Sequence, residues 1–133
     1  MKATLYADGG SRGNPGPAAS GAVLYDERGE VLEEIGTFLG VATNNVAEWT
    51  ALIEGLEAAI ARGVDDLTVR MDSELVVKQL AGVYRVKHPG LIPLHARAKV
   101  LLRRFARVDV AHVRRKDNAA ADAVVNQILD AAR

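Results

Sequence analysis

The stretch "DGGSRGNPGP" (Asp8–Pro17) follows the first strand-like run, "KATLYA" (Lys2–Ala7), and decides how the rest of the chain is read. It holds four of the twelve glycines and two of the four prolines, behind a single carboxylate. Gly and Pro at this density mark a turn. Two readings of Asp8 stand side by side. It caps an ordinary turn, or the chain is leaving room beside it for something bulky and anionic.

Beyond the turn the pattern stays β-rich. "GAVLYD" (Gly21–Asp26) and "VLEEIGTFL" (Val31–Leu39) read as strands joined by the turn "ERGE" (Glu27–Glu30), with Gly36 a candidate bulge. The period then changes. Thr43 suits the N-cap of a long helix ending near Ala61, and Gly63 suits the position just past its end. "LTVRM" (Leu67–Met71) reads as a short buried strand, and Ser73 as the N-cap of a helix through Leu80. The connector "AGVYRVKHPG" (Ala81–Gly90) leads to a helix over Leu91–Phe105. A last strand in "RVDVAHV" (Arg107–Val113) and a last helix over Asn118–Ala131 complete the order β-β-β-α-β-α-α-β-α. Hairpins followed by β-α alternation predict an α/β fold, one mixed sheet with helices on its faces.

A length of 133 residues suits one domain, spanning 1–133. Basic and acidic residues balance at 17 each, so net charge points to no partner, although a balanced total can hide segregated patches. The chain has no cysteine, which excludes disulfides, zinc–thiolate centres and thiol nucleophiles. It has neither a signal-like N-terminus nor an apolar run of membrane-spanning length. A cytoplasmic protein without a membrane partner is the expectation.

Four acids fall where acids are unusual. Glu48 heads the helical stripe Ala51, Leu52, Gly55 and Ala59. Asp122 lies within the stripe Ala121, Val125, Ile128, Leu129 and Ala132. Asp72 follows "LTVRM", and Asp8 follows "KATLYA". Each has an ordinary explanation: a dipole-complementing first-turn acid, an arginine partner, a loop residue or a turn cap. Together they suggest a site. Buried carboxylates repel one another unless a cation offsets them, and cysteine-free carboxylate ligation favours hard ions such as Mg²⁺ or Mn²⁺.

The segments "DGGSRGNPGPAASG", "TNNVAEWTAL", "MDSELVVKQL" and "HVRRKDNAAAD" occur in one order, and through them the chain resembles ribonuclease H type 1 from Lys2 to about Leu129. It is most similar to the compact bacterial and archaeal forms. The resemblance implies a ribonuclease H-like fold. Its five-stranded mixed sheet has three antiparallel N-terminal strands and two further parallel strands, flanked by α-helices. It assigns Asp8, Glu48, Asp72 and Asp122 as active-site carboxylates holding two Mg²⁺ or Mn²⁺ ions. The implied reaction is hydrolysis of the RNA strand of an RNA–DNA hybrid to 5′-phosphate and 3′-hydroxyl ends. Two ions about 3.5–4 Å apart activate a water and stabilise the leaving oxygen in such displacements.

The resemblance assigns further roles. His112, ten residues before Asp122, matches a mobile histidine that transfers protons or aids product release. Ser11, Gly13 and Asn14 are placed near the ribose, where Gly9, Gly10 and Gly13 leave space for the RNA backbone. Asn44 and Asn45 match contacts to 2′-hydroxyls and bases, which tell RNA from DNA. Thr43 matches a DNA-phosphate contact as well as an N-cap. Ser73 and Glu74 fall where the family touches the RNA strand. The family's basic protrusion is missing from Ala81–Gly90. Lys78, Arg85, Lys87 and the run Arg114–Lys116 are candidate substitutes, and solvated surface is the competing reading. A monomer is expected. Double-stranded RNA stays open as an additional substrate.

Overall fold

The computed structural model describes residues 1–132. Its sheet has five strands, β1 (Lys2–Ser11), β2 (Gly16–Asp26), β3 (Val31–Ala42), β4 (Asp66–Met71) and β5 (Arg107–His112), ordered β3-β2-β1-β4-β5. β1 pairs antiparallel with β2 and parallel with β4, and β5 joins parallel to β4. The predicted mixed sheet is therefore present, with β1 at its centre.

The first two strands are longer than their sequence pattern predicts. β1 continues through Asp8 to Ser11, with Asp8 opposite Gly21 and Ser11 opposite Ala18. The turn of the hairpin is confined to 12–15, where Gly13 has φ +103°. A glycine-rich run can thus extend a strand when its partner supplies the ladder. Gly36 is not a bulge: it sits in register opposite Gly21, and the irregularities fall at Ala18/Ala19 and Leu24/Tyr25.

The helices are α1 (Asn44–Ala61), α2 (Glu74–Leu80), α3 (Ile92–Leu102) and α4 (Ala119–Ala131). Thr43 and Ser73 cap α1 and α2 as expected, each accepting a 3.2 Å bond from a backbone N–H three residues on. α3 starts without a side-chain cap, has a proline in its first turn and stops at Leu102, short of the predicted Phe105. α4 follows a single 3₁₀ turn over Arg115–Asn118.

Neighbouring residues of a strand point to opposite faces. A Cβ on Gly9 would lie 2.2 Å from the Ala47 carbonyl carbon in α1, whereas one on Gly10 would meet Val125 of α4 at 3.4 Å. The two helices therefore cover opposite faces of the sheet. The main core lies on the α1 side, built from Leu5, Trp49, Leu52, Leu56, Leu67, Val69 and Leu101 with their neighbours. A smaller cluster of Ala19, Val125 and Leu129 lies under α4. Among the described residues no helix is long and apolar enough to cross a membrane.

Candidate active site

The parallel β1–β4 ladder ends at the pair Ala7↔Met71. Asp8 and Asp72 are the next residue on each strand, so they stand side by side where the ladder stops. Asp8 breaks the alternation of β1. Ala3, Leu5 and Ala7 are buried towards α1, and Asp8 is buried on the other face with 8% of its surface exposed.

Two glycines create that crowding. Gly9 lacks a side chain because the α1 backbone at Ala47–Glu48 occupies the space. A Cβ on Gly21, the cross-strand partner of Asp8, would lie 2.8 Å from the Ala121 carbonyl of α4. The two helices are thereby drawn in around Asp8, Glu48 on one and Asp122 on the other. This corrects the expected role of Gly9, whose missing Cβ accommodates a helix rather than an incoming RNA backbone.

A cleft of about 560 Å³ opens here. Asp8, Glu48, Asp72 and Asp122 all line it, together with Ser11, Asn44, Asn45, Ser73 and Glu74 from the sequence-derived set. Gly13, Asn14, Thr43 and His112 do not. Asn14 instead accepts a bond from the Asn44 backbone at 3.0 Å, while the Asn44 side chain accepts one from Ser11 N–H at 2.7 Å. The three predicted contact residues thus brace the hairpin tip against the start of α1. His112 is exposed at the end of β5, opposite Met71, and its charge helps hold the Glu74 carboxyl below its ordinary range, behind the larger effect of Lys78.

Electrostatics set this cleft apart. Asp8 is pushed up to about 8, first by burial, then by the Asp72 charge, a hydrogen bond with Asp122 and the Asp122 charge. Glu48 is raised by burial, against a lowering hydrogen bond from Ser73. Asp122 accepts from Asn126 Nδ2 at 3.2 Å and lies 3.8 Å from Arg115 Nη2. Arg12 and Asn126 also line the cleft and carry no assignment from sequence. The spacing of Asn126 from Asp122, one helical turn, was the available signal for one of them.

Among the described residues, no three His, Asp or Glu side chains form a ready-made cation cage. The donor set nevertheless fits hard cations. It is all oxygen, drawn from four separate elements, and its mutual repulsion is what a divalent charge offsets. Asp8, Glu48, Asp72 and Asp122 are the residues that could hold such ions.

The substitutes for a basic protrusion separate clearly. Residues 81–91 form turns without a helix. Lys78 is engaged by Glu74 at 2.5 Å and sits 5.2 Å above the Tyr84 ring. Arg85 lines a different depression with Tyr84 and His95, and Arg114 pairs with Asp117 at 3.5 Å. Of these candidates only Arg115 lines the acidic cleft.

A family model described as reverse transcriptase-like matches residues 6–128. The bifunctional protein Rv2228c of Mycobacterium tuberculosis is 47% identical over 133 residues, which cover 99% of this chain and 36% of that protein. This chain thus spans about a third of the length of the mycobacterial relatives it matches. The crystal structure of RNase H1 from the archaeon Halobacterium salinarum superposes with a TM-score of 0.95 at 46% identity, covering 98% of this chain and 99% of that one. LC11-RNase H1, in a crystal structure with an RNA/DNA hybrid, gives 0.92 at 44% identity, covering 98% of each chain. The chain belongs to the ribonuclease H type 1 family.

Proposed function

We propose that this chain is a ribonuclease H catalytic domain, a metal-dependent endoribonuclease that hydrolyses the RNA strand of RNA–DNA hybrids, leaving 5′-phosphate and 3′-hydroxyl ends. The observation that carries the reading is the convergence of Asp8, Glu48, Asp72 and Asp122 from β1, α1, the end of β4 and α4 on one cleft. A relative of the same fold crystallised with an RNA/DNA hybrid supports the substrate class.

Bound Mg²⁺ or Mn²⁺, two in each site, supplies a polarised water and neutralises charge on the phosphate under attack. The chain's own groups supply the rest. Asp8 is held at the centre by two glycine-permitted helix contacts, with Glu48 oriented by Ser73 and Asp122 by Asn126. Arg115 offers a guanidinium that can pair with a phosphate oxygen. Ser11, Asn44 and Asn45 line the same cleft, which supports reading this segment as the one that meets the ribose. His112, at the end of β5, is the candidate for moving a proton to or from the departing product.

The test is cleavage of matched, labelled RNA–DNA hybrid, RNA duplex, DNA duplex and single-stranded RNA, in Mg²⁺, in Mn²⁺ and in chelator. Metal-dependent cutting of RNA only in the hybrid is expected. Equal cutting of the RNA duplex would widen the substrate class, and cutting that persists in chelator would overturn the metal-dependent reading.

A further inference from the structure

Asn118 immediately precedes α4, where an asparagine ordinarily turns its side chain back to accept a hydrogen bond from the helix's first N–H groups. It makes no such cap. Its side chain instead turns inward and is 1% exposed. Nδ2 donates to the Ala7 carbonyl at 2.9 Å and to Asp72 Oδ1 at 3.2 Å. Both partners are acceptors, so the amide can face them only with its two N–H bonds. Its Oδ1 is buried and has no hydrogen-bond partner among the described residues. An unpaired buried acceptor is unfavourable, and the amide accepts that cost while both its donors are engaged.

Those two acceptors lie where the β1–β4 ladder runs out. Ala7 is the last residue of β1 paired to β4 and immediately precedes Asp8. Asp72 is the first residue beyond β4, and Asp122 lies one helical turn on from Asn118. A single amide therefore ties together the three backbone segments that carry Asp8, Asp72 and Asp122.

We propose that Asn118 is a positioning residue. It clips the start of α4 to the ends of β1 and β4, fixing the spacing of Asp8, Asp72 and Asp122 and leaving one Asp72 oxygen to face a cation. This rests on the metal-dependent reading above. Groups standing behind metal ligands are typically worth about 10–100-fold in affinity or activity.

The test compares Asn118→Ala with Asn118→Leu, which keeps most of the side-chain volume and removes the donors. Three quantities are read on each: kcat and KM on the hybrid, Mn²⁺ affinity by calorimetry without substrate, and thermal melting. Expected are a loss in kcat of about 10–100-fold in both folded variants, weaker Mn²⁺ binding, and a KM within about twofold of the parent. Recovery of kcat and Mn²⁺ affinity by Asn118→Leu would assign the residue to packing and overturn the proposal. So would parental behaviour in both variants, or failure of both to fold. A parent protein that binds Mn²⁺ but cuts no hybrid would defeat the proposed function alone, because the Mn²⁺ affinities still decide the clip. A parent that binds no Mn²⁺ would remove both.

Discussion

The parallel β1–β4 pair carries an aspartate near each end, and the two are held in opposite ways. Asp65, just before β4, is exposed and accepts a 2.5 Å bond from the amino terminus, which holds its carboxyl below the ordinary range. Asp8, where β1 leaves β4, is buried among other acids and pushed up to about 8. One end of the sheet gives its acid a counter-charge within the chain. The other gathers acids that repel one another around Asp8, a charge the proposed cations would offset. Raised carboxyl groups gathered in a cleft are the pattern that functional sites share.

The largest expected effect breaks the acidic end. Asp8→Asn keeps shape and removes a charge at the centre of the proposed ligand set. Cleavage should fall by more than about 100-fold, because residues one step behind a ligand already reach about 10–100-fold. Retention of parental turnover, measured on labelled hybrid in Mg²⁺, would remove Asp8 from the mechanism. Asp65→Asn in the same assay should cut at the parental rate.

Next is the pH dependence of stability in chelator. The folded protein holds the Asp8 proton up to about pH 8, whereas the unfolded chain releases it near its ordinary value of 3.8. Between those values the folded state holds more proton at Asp8, so this group's contribution to stability is full below about pH 4 and declines as pH rises towards 8. The decline should amount to a few kcal/mol, on the order of 1.4 per unit of pKa difference at most. Melting temperatures from pH 5 to 8 check this. Asp8→Asn should flatten the slope and melt higher near pH 8, whereas an unchanged slope would mean that other groups govern it.

A smaller effect concerns Arg115, whose side chain is 82% exposed and yet faces the cleft. Arg115→Ala should weaken hybrid binding several-fold and lower the slope of log affinity against log salt by about 1, the signature of one lost phosphate contact. Titrations at three salt concentrations suffice. A parallel loss at all salts would assign Arg115 to holding Asp122 rather than phosphate.

The sequence was legible where the signal is local. Thr43 and Ser73 cap the helices they were expected to cap, because that chemistry needs only three residues. The four acids were found because each sits against an apolar pattern. What stayed hidden depends on the partner across space. β1 continues through Gly9 and Gly10 since β2 pairs with it, and nothing within "DGGSRGNPGP" says so. Asn14 and Asn44 look like substrate contacts in sequence and are partly committed to each other in the structure. Asn118 looks like a helix cap, and only the placement of Ala7 and Asp72 shows where its amide goes.

The smallest expected effect tests the other end of the comparison. Asp65→Asn removes an exposed ion pair that salt screens and that fixes only the first residue of the chain. Its carboxyl is lowered in the folded state, so its contribution is present above the ordinary carboxylate value and fades as pH falls through the folded one. That dependence is opposite in sign to the one at Asp8 and confined to acid. Near neutral pH the variant should melt within a few degrees of the parent, and high salt should narrow the gap. A large loss there, in salt as well as without it, would mean that the Met1–Asp65 contact anchors β1 against β4. The two ends of the sheet would then differ in chemistry but not in structural consequence.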